Sequence, residues 1–348
     1  MHRKQKTIGC ECIFTPVVFL WKKYKNEEGD SHSIHESDDH SFRDYFLKNL
    51  IPILQRKHYF MFLFFMNAFG YFLYLIGFRG IDILSQGLAF ILFYIVQYRK
   101  KLIIQNIQIA FPQMTTQQAS KIGFQSIKSF CRTMLEFCAG EKLYRKAKVE
   151  FIFSENFIGV DKIKLSGVYW LSIHMGNWEV LSYSVSKNIS RAQGITKKLG
   201  NKLFTQWVFN QRSKLGYKVI DRDSSKPAYV QILEIIEQHG AVGFAVDQKR
   251  PKGEWLPLFG KMTKTNNSLP RLYFKKNAPI LPIYIKLIRP GEYEIHILDE
   301  LKLDYDDHLT LAENVTKSTL QINQLTEKMI LANPSEYLWS HNRWDLKI

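Results

Sequence analysis

The stretch that decides the fold spans residues 168–179 and reads VYWLSIHMGNWE. Its first six residues form a short apolar run with the length and composition of a buried strand. Gly176 then permits a tight turn, and Asn177 can cap a helix that begins at Trp178. The segment therefore predicts a strand that turns sharply into a helix, with His174 at the turn.

Similar apolar runs follow in the chain and also have the character of strands. Buried strands are expected at 241–246 and 280–288, and the alternation at 293–298 is typical of an edge strand. Helical stretches lie near 178–186, 203–215 and 228–239. Alternation of strands and helices predicts an α/β fold, with a mainly parallel sheet and helices on both faces.

The pair His174 and Glu179 is the candidate for catalysis. Reactive groups in open α/β sheets collect at the carboxyl ends of strands, which is where His174 stands. On one continuous helix, five residues would separate the two side chains by about 140°. Across a strand, turn and helix, Glu179 can instead fold back to hold one imidazole nitrogen and leave the other free as a base. The alternative is a structural histidine with a surface glutamate.

The chain lacks the motif that marks a catalytic serine. No Gly-x-Ser-x-Gly nucleophile elbow occurs in the sequence. This favours a base that acts on a substrate hydroxyl over a covalent serine intermediate.

Two further groups of polar residues are candidates for substrate binding. Asp247 and Gln248 stand where another predicted strand ends, so they can orient the His174 loop or bind a head group; a turn residue and a helix cap are the alternative. A basic set can meet phosphates, or it can form a solvated face. This set comprises Lys197, Lys198, Lys202 and Arg212.

The amino-terminal part changes character abruptly. Residues 22–44 are polar, and we assign 1–50 to a disordered extension. Residues 59–78 (YFMFLFFMNAFGYFLYLIGF) then match the ~30 Å hydrocarbon core of a bilayer, with a buried core helix as the alternative. Residues 87–98 are too short to span, so a helix lying on the membrane or packed behind the first is expected. Helices follow at 102–110 and from a cap at Thr115 or Thr116 to about 139.

The composition narrows the classes of partner and cofactor. The formal net charge is +16, and residues 1–50 are neutral, so the excess lies in 51–348. Such a field attracts polyanions, namely nucleic acid, an anionic membrane face, or an acidic carrier or substrate. The basic residues are scattered without a nucleic-acid recognition motif. No metal-binding pattern is expected from the four cysteines or from the histidines of the extension. These residues are Cys10, Cys12, Cys131, Cys138, His2, His32, His35 and His40.

Several stretches, in order, resemble the late acyltransferases of lipid A biosynthesis, the lauroyl/myristoyl acyltransferase family. The stretch from His174 to Glu179 is similar to the family's His-x4-Asp/Glu motif, and Asp247-Gln248 is similar to its Asp-Gln pair. The remaining matches lie at 99–112, Glu136, 256–260, 277–282 and 339–344. The resemblance covers about residues 50–346.

The resemblance implies a glycerol-phosphate-acyltransferase-like α/β domain at 102–348, preceded at 51–101 by a membrane helix and membrane-associated helices. It implies transfer of an acyl chain from acyl carrier protein or coenzyme A to a hydroxyl of a membrane glycolipid, such as a lipid A precursor. The enzyme would act at the inner membrane, facing the cytoplasm, without a metal or organic cofactor. Other glycolipid or phospholipid acceptors, a thioester hydrolase, a nucleic-acid binder and a non-catalytic scaffold are the alternatives.

The chemistry of the residues themselves agrees with the resemblance and divides the site by role. His174 would take the hydroxyl proton, and Glu179 would hold the imidazole. Backbone amides near Asn177 and Trp178 would serve as oxyanion donors. Substrate binding is assigned to Asn177, Lys197, Lys198, Arg212, Asp247 and Gln248.

Overall fold

The computed structural model describes residues 38–190, 192–196, 200–221 and 225–347, with side chains described from Tyr59 onward. The chain divides into two units, 1–66 and 67–348. Most of the predicted disordered extension, including Cys10, Cys12 and the histidines before residue 38, lies outside the described residues. Its last part, from Asp38, is already helical.

Helix α1 (Asp38–Phe90) carries the apolar amino-terminal run. It consists of two helical stretches joined at a kink at Gly77, and it leads into a π-helical segment, Ile91–Ile95. Residues Tyr59–Ile95 are long and apolar enough to cross a membrane, and only 11% of their most apolar window is buried. That exposure contradicts the buried-core alternative. The helical stretch after Gly77 includes the predicted segment 87–98 as far as Ile95 and begins earlier than the sequence predicts; its placement on a membrane stays a prediction. No proline interrupts residues 79–86, so the backbone passes through them as helix, with its non-helical point at Gly77 (φ 65°).

The next two helices begin and end close to where the sequence predicts. They are α2 (Lys100–Ala110) and α3 (Thr116–Ala139). Thr115 closes a capping box: its hydroxyl accepts from the Gln118 amide at 3.3 Å, and the Gln118 side chain accepts from the Thr115 amide at 2.8 Å. Two of the first-turn N–H groups that a helix leaves free are thereby satisfied, which fixes the start of α3.

The rest of the chain alternates between helices and strands. The helices are α4 (Glu141–Tyr144), α5 (Val160–Ser166), α6 (Trp178–Asn188), α7 (Lys202–Lys214), α8 (Ala228–Glu237), α9 (Ser268–Lys275) and α10 (Leu311–Ala332). The strands are β1 (Lys148–Phe153), β2 (Val168–Ser172), β3 (Ala192–Thr196), β4 (Lys218–Asp221), β5 (Ala241–Ala245), β6 (Glu254–Leu258), β7 (Lys261–Thr265), β8 (Ile280–Arg289) and β9 (Glu292–Ile297).

Within the described residues, seven strands form one sheet in the order β1-β9-β8-β2-β5-β3-β4, and β6 and β7 form a separate hairpin. All neighbours in the large sheet are parallel except β8 and β9. The α/β class with a mainly parallel sheet is therefore confirmed.

The prediction that 293–298 is an edge strand is wrong, because β9 lies between β1 and β8. Its buried and partly exposed residues do alternate. Alternation reports that one face of a strand is covered, and it does not report whether a neighbour pairs with its edge. Strand β1, which covers that edge, also alternates and carries charged residues, and it was not predicted.

The register at the centre of the sheet sets up the site. Strands β2 and β5 run parallel, with Ser172 opposite Ala245 at their carboxyl ends. The chain leaves both strands at the same edge, so His174 and Asp247 emerge beside each other. The strands themselves are anchored by fully buried side chains, among them Tyr169, Leu171 and Val242.

Candidate active site

His174 and Asp247 form the central contact at this edge. The Nδ1 atom of His174 lies 2.9 Å from Oδ1 of Asp247, and the backbone N–H of His174 donates to the same oxygen at 3.2 Å. Asp247 is 1% exposed, whereas a quarter of the His174 side chain remains accessible. The carboxylate thus fixes both the ring and the peptide that carries it. With a proton on Nδ1 donated to Asp247, the Nε2 atom is the free, basic nitrogen.

The electrostatics of this pair favour a basic imidazole. Burial lowers the pKa of His174, but the charge and hydrogen bond of Asp247 outweigh burial, so the pKa lies above its ordinary value. Burial raises the pKa of Asp247, but His174 and backbone hydrogen bonds outweigh it and hold that pKa below its ordinary value. Asp247 therefore stays ionised while His174 gains and loses its proton.

The other face of the imidazole meets two neighbours. The side-chain nitrogen of Gln248 lies 3.5 Å from Nε2 of His174. The Trp178 ring meets the imidazole edge to face, with centroids 5.4 Å apart at 73°. A contact of 3.5 Å is at the outer limit for a hydrogen bond, so Nε2 is held loosely and can accept a proton from a substrate.

Glu179 does not hold the imidazole, which corrects the sequence-based geometry. Its carboxylate instead accepts from Arg212 (Nη2 to Oε1, 2.5 Å; Nε to Oε2, 3.3 Å) and from the hydroxyl of Tyr217. The physical reason is the helix start: Glu179 lies in the first turn of α6 and contacts Arg212 of α7, while the ring contacts Asp247, which follows β5. A carboxylate 73 residues further along the chain reaches the ring because β2 and β5 are neighbours.

Asn177 is the predicted helix cap. Its side-chain oxygen accepts from the backbone N–H groups of Glu179 and Val180 at 3.1 and 3.0 Å. Its side-chain nitrogen donates to Oε2 of Glu136 at 2.5 Å. Because both ends of this amide are occupied and the residue is 4% exposed, its side chain is not available to bind substrate.

Glu136, in α3, supports that cap from inside the protein. It is fully buried and also accepts from the hydroxyl of Tyr293 at 2.6 Å. Burial raises the pKa of Glu136 to about 7 against the opposing hydrogen bond from Tyr293. Its Oε1 atom has no hydrogen-bond partner among the described residues. The start of α6 is therefore coupled to a buried carboxyl group that titrates near neutrality.

The turn that carries His174 is braced by the carboxyl-terminal segment. The N–H of Leu338 donates to the carbonyl of His174 at 2.9 Å, and the N–H of Gly176 donates to the carbonyl of Glu336 at 3.1 Å. Gly176 has φ +60°, and a Cβ there would lie 2.6 Å from the carbonyl oxygen of Ile285. The glycine predicted for the turn is thus required both by its backbone angle and by lack of space.

Tyr337 belongs to the same segment, and the sequence does not single it out. Burial and the Asp247 carboxylate hold the pKa of its hydroxyl well above its usual range. The one sequence signal for Tyr337 is that it lies two residues before the stretch 339–344, which resembles the family. No spacing within the chain connects residue 337 to residue 247.

A cavity of about 160 Å³ adjoins the pair. We call it the His174 cavity. Glu179, Arg212 and Tyr217 line it together with His174, so the predicted pair faces one space without touching. The remaining walls are mainly apolar and include Trp170, Trp178, Leu181, Val185, Phe244 and Ile283.

Of the basic residues proposed for phosphate binding, Arg212 lines this cavity and Lys202 does not. Arg212 donates to the carboxylate of Glu179. Burial alone would lower the pKa of Arg212, but the charge of Glu179 outweighs burial and raises it. Lys202 is exposed at the start of α7. Lys197 and Lys198 lie outside the described residues. Among the residues that the structure describes, no group of three or more His, Cys, Asp or Glu side chains is arranged to hold a metal ion.

Comparison with known families gives one match. The model of a family described as bacterial lipid A biosynthesis acyltransferase matches residues 52–345. Comparison with curated proteins finds no match. The family match spans α1 from Pro52, the whole sheet, His174, Asp247 and the carboxyl-terminal brace.

Proposed function

Because this chain belongs to the bacterial lipid A biosynthesis acyltransferase family and is an acyltransferase, we propose that it moves a fatty acyl chain from a thioester to a hydroxyl of a membrane glycolipid. The donor is acyl carrier protein or coenzyme A, and the acceptor is a lipid A precursor. The observation that carries this proposal is the His174–Asp247 pair, whose free Nε2 points away from the carboxylate at an apolar cavity.

The reaction needs a base that becomes an acid. As the acceptor hydroxyl attacks the thioester carbonyl, Nε2 of His174 takes its proton, and Asp247 stabilises the imidazolium that forms. When the tetrahedral intermediate collapses, the carbon–sulfur bond breaks and the imidazolium returns the proton to the sulfur. A thiol has a pKa of about 8.5, so the thiolate is a good leaving group.

We assign stabilisation of the oxyanion to backbone N–H groups at the start of α6. The N–H groups of Glu179 and Val180 are taken by the cap. Those of Asn177 and Trp178 donate to no other group in the described parts of the chain. This leaves them for the oxygen of the tetrahedral intermediate, which gives Asn177 a role through its backbone.

We assign Glu179 a positioning role. Its bidentate contact with Arg212 joins the first turn of α6 to α7, and both helices form walls of the His174 cavity. Glu179 also raises the pKa of His174 and Arg212 lowers it, though both effects are smaller than those of burial and Asp247. Loss of this contact would therefore alter the wall of the cavity before it alters the base.

The shape and charge of the protein fit the substrates. At about 160 Å³ the His174 cavity is smaller than the ~300–1,000 Å³ of typical ligand pockets, so it suits the reacting end of an acyl chain. Asp247 is not a substrate ligand in this scheme, and Gln248 is the side chain placed to meet the acceptor hydroxyl. The net charge of +16 suits an acidic carrier protein and an anionic inner-membrane surface facing the cytoplasm.

The test compares lipids and enzyme together. Cells that lack the protein are complemented with the natural chain or with His174→Ala. Mass spectrometry then compares the membrane lipids of these cells with those of cells that received neither. We expect a deficit of one acyl mass in lipid A that only the natural chain restores.

Purified protein is then given acyl carrier protein and coenzyme A thioesters, with and without lipid acceptor. Turnover that needs no acceptor would identify a hydrolase. Full transfer by His174→Ala would overturn the proposed base.

A further inference from the structure

A second cavity, of about 550 Å³, lies between α8 and α9. Arg250, Arg271 and Lys275 line it, and we call it the cationic cavity. Its apolar walls include Ala228, Ile232, Leu233 and Leu272, and Asn266 and Ser268 add polar groups. The described lining residues include three cations and no Asp or Glu. The described lining therefore combines an apolar interior with an edge that carries positive side chains.

The cationic cavity adjoins the His174 cavity. Ile195 and Phe244 line both. Phe244 belongs to β5, whose end leads to Asp247. The two cavities therefore share a wall at these two residues.

Arg271 and Lys275 are two like charges that lie close together on one helix. They are four residues apart on α9, so they share one helix face, where like charges repel. Within the described ranges Arg271 makes no ion pair, and the contact recorded for Lys275 is with the ring of Tyr229, 5.9 Å from its centroid. Both side chains are exposed and able to move. An anion between them would turn this repulsion into attraction.

We propose that the cationic cavity is a binding subsite for a phosphate group carried on an apolar substrate, with Arg271 and Lys275 as its ligands and the apolar walls beside Ile232 and Leu272 holding the adjoining hydrocarbon. The subsite deepens the proposed function and rests on it for the identity of the substrate. A phosphate fits this geometry because it offers several acceptor oxygens to a guanidinium and an ammonium at once. An apolar body fits because a purely polar anion would leave the aliphatic walls facing water.

The phosphate has two possible sources, the head group of the lipid acceptor and the phosphates of the acyl donor. Their shared chemistry is a phosphate ester on a molecule with a fatty chain. The experiment therefore first tests whether a phosphate ester binds, and then asks whether the acceptor or the donor supplies it.

Binding is measured first, independently of catalysis. Full-length protein in detergent is titrated by calorimetry with dihexanoyl phosphatidic acid and with dihexanoylglycerol, which has the same chains without the phosphate. We expect the natural chain to bind the phosphatidic acid at least about tenfold more tightly, because charge-assisted hydrogen bonds to phosphate are strong. Arg271→Ala/Lys275→Ala should lose this preference.

The matched control is Lys164→Ala/Lys328→Ala, which removes two exposed helical lysines that line neither cavity. It should bind as the natural chain does, and Arg271→Lys should keep most of the preference. Equal dissociation constants for the natural chain and Arg271→Ala/Lys275→Ala would overturn the subsite.

Transfer assays then identify the carrier. Each protein is given a phosphorylated or a dephosphorylated lipid acceptor, combined with an acyl coenzyme A donor or with an acyl N-acetylcysteamine thioester, which has no phosphate. A KM raised about tenfold for the phosphorylated acceptor with the phosphate-free donor assigns the subsite to the acceptor. A rise confined to acyl coenzyme A assigns it to the donor.

The two proposals fail separately. Selective binding of phosphatidic acid without transfer by the natural chain would end the proposed function and keep the subsite. Transfer with unchanged KM and binding in Arg271→Ala/Lys275→Ala would end the subsite and keep the function.

Discussion

The imidazole Nδ1 of His174 lies 2.9 Å from a carboxylate oxygen of Asp247, a residue 73 positions further along the chain. Two parallel neighbouring strands, β2 and β5, bring them together. The contact sets the tautomer of His174, raises its pKa and leaves Nε2 facing the His174 cavity. The predictions below test this contact and the structures that support it.

Asp247→Asn should lower kcat by a factor on the order of 10²–10⁴, since an amide no longer fixes the tautomer or stabilises the imidazolium. The pH profile should also move. The base works when neutral, so kcat/KM rises with pH through the raised pKa of His174. Without the carboxylate, burial is the largest remaining effect on the pKa of His174 and lowers it, so the rise should occur at lower pH. Kinetics between pH 5 and 9 would show it.

The control for this experiment is Asp307→Asn, which alters an exposed aspartate in the loop before α10. Its profile should match that of the natural chain. A natural-like rate and profile for Asp247→Asn would remove Asp247 from the mechanism.

Glu179→Ala should destabilise the fold by about 3–5 kcal/mol, because it leaves the Arg212 guanidinium partly buried without its carboxylate. Glu179→Ala combined with Arg212→Met should recover part of that loss. The free energy of unfolding in detergent measures both, with the exposed Glu155→Ala as a control. A loss below about 1 kcal/mol for Glu179→Ala would show that the contact does not hold the helices.

Glu136→Gln should remove a component of the pH dependence of stability. The folded pKa of about 7 exceeds the ordinary 4.5, so the native state keeps a proton that the unfolded chain releases. This contribution is fully present below pH 4.5 and is lost as the pH rises through 7. The difference is about 3 kcal/mol at 1.36 kcal/mol per pKa unit.

Unfolding curves of Glu136→Gln and the natural chain are measured at pH 5, 6, 7 and 8. The difference between their free energies of unfolding gives the contribution of Glu136. The natural chain should lose more stability than the variant across that interval. Parallel curves for the two proteins would show that Glu136 is ionised throughout.

Removal of residues 1–37 should leave acyl transfer intact, because residues 22–37 are polar and the apolar run 16–21 is too short to build a core of its own. The cut falls just before Asp38, where α1 begins, so the helix is kept whole. Transfer assays on the shortened and complete chains test this. Loss of activity with retained membrane association would make the segment part of the enzyme.

Phe64→Lys with Phe72→Lys should weaken membrane association. Both rings are exposed on α1, at 69% and 50%, and a lysine at the centre of a membrane helix costs about 2.5–3.5 kcal/mol. Sedimentation of membranes after alkaline washing measures the retained fraction. Leu165→Lys, at an equally exposed apolar residue of α5, should behave as the natural chain. Full retention of the double variant would argue against a spanning helix.

Local features were predictable to the extent that neighbouring residues decide them. The cap at Thr115, the turn at Gly176 and the cap at Asn177 depend on groups within a few residues of each other. Strand β2 was predicted within one residue because its whole span is buried and apolar. Short strands with polar residues, such as β1 and β4, carry no such signal and were missed.

The sequence by itself determined the α/β class, the apolar helix, the position of His174 after a buried strand and, through ordered matching stretches, the family. Only the tertiary structure decided which carboxylate serves His174. Glu179 is near in sequence, but its helix turns it toward Arg212, whereas strand pairing delivers Asp247 from 73 residues away. Caps, turns and strands depend on backbone geometry and on the spacing of apolar residues within one short stretch, so the sequence reveals them. The partner of a side chain depends on the order of the strands in the sheet, which no single stretch of sequence encodes.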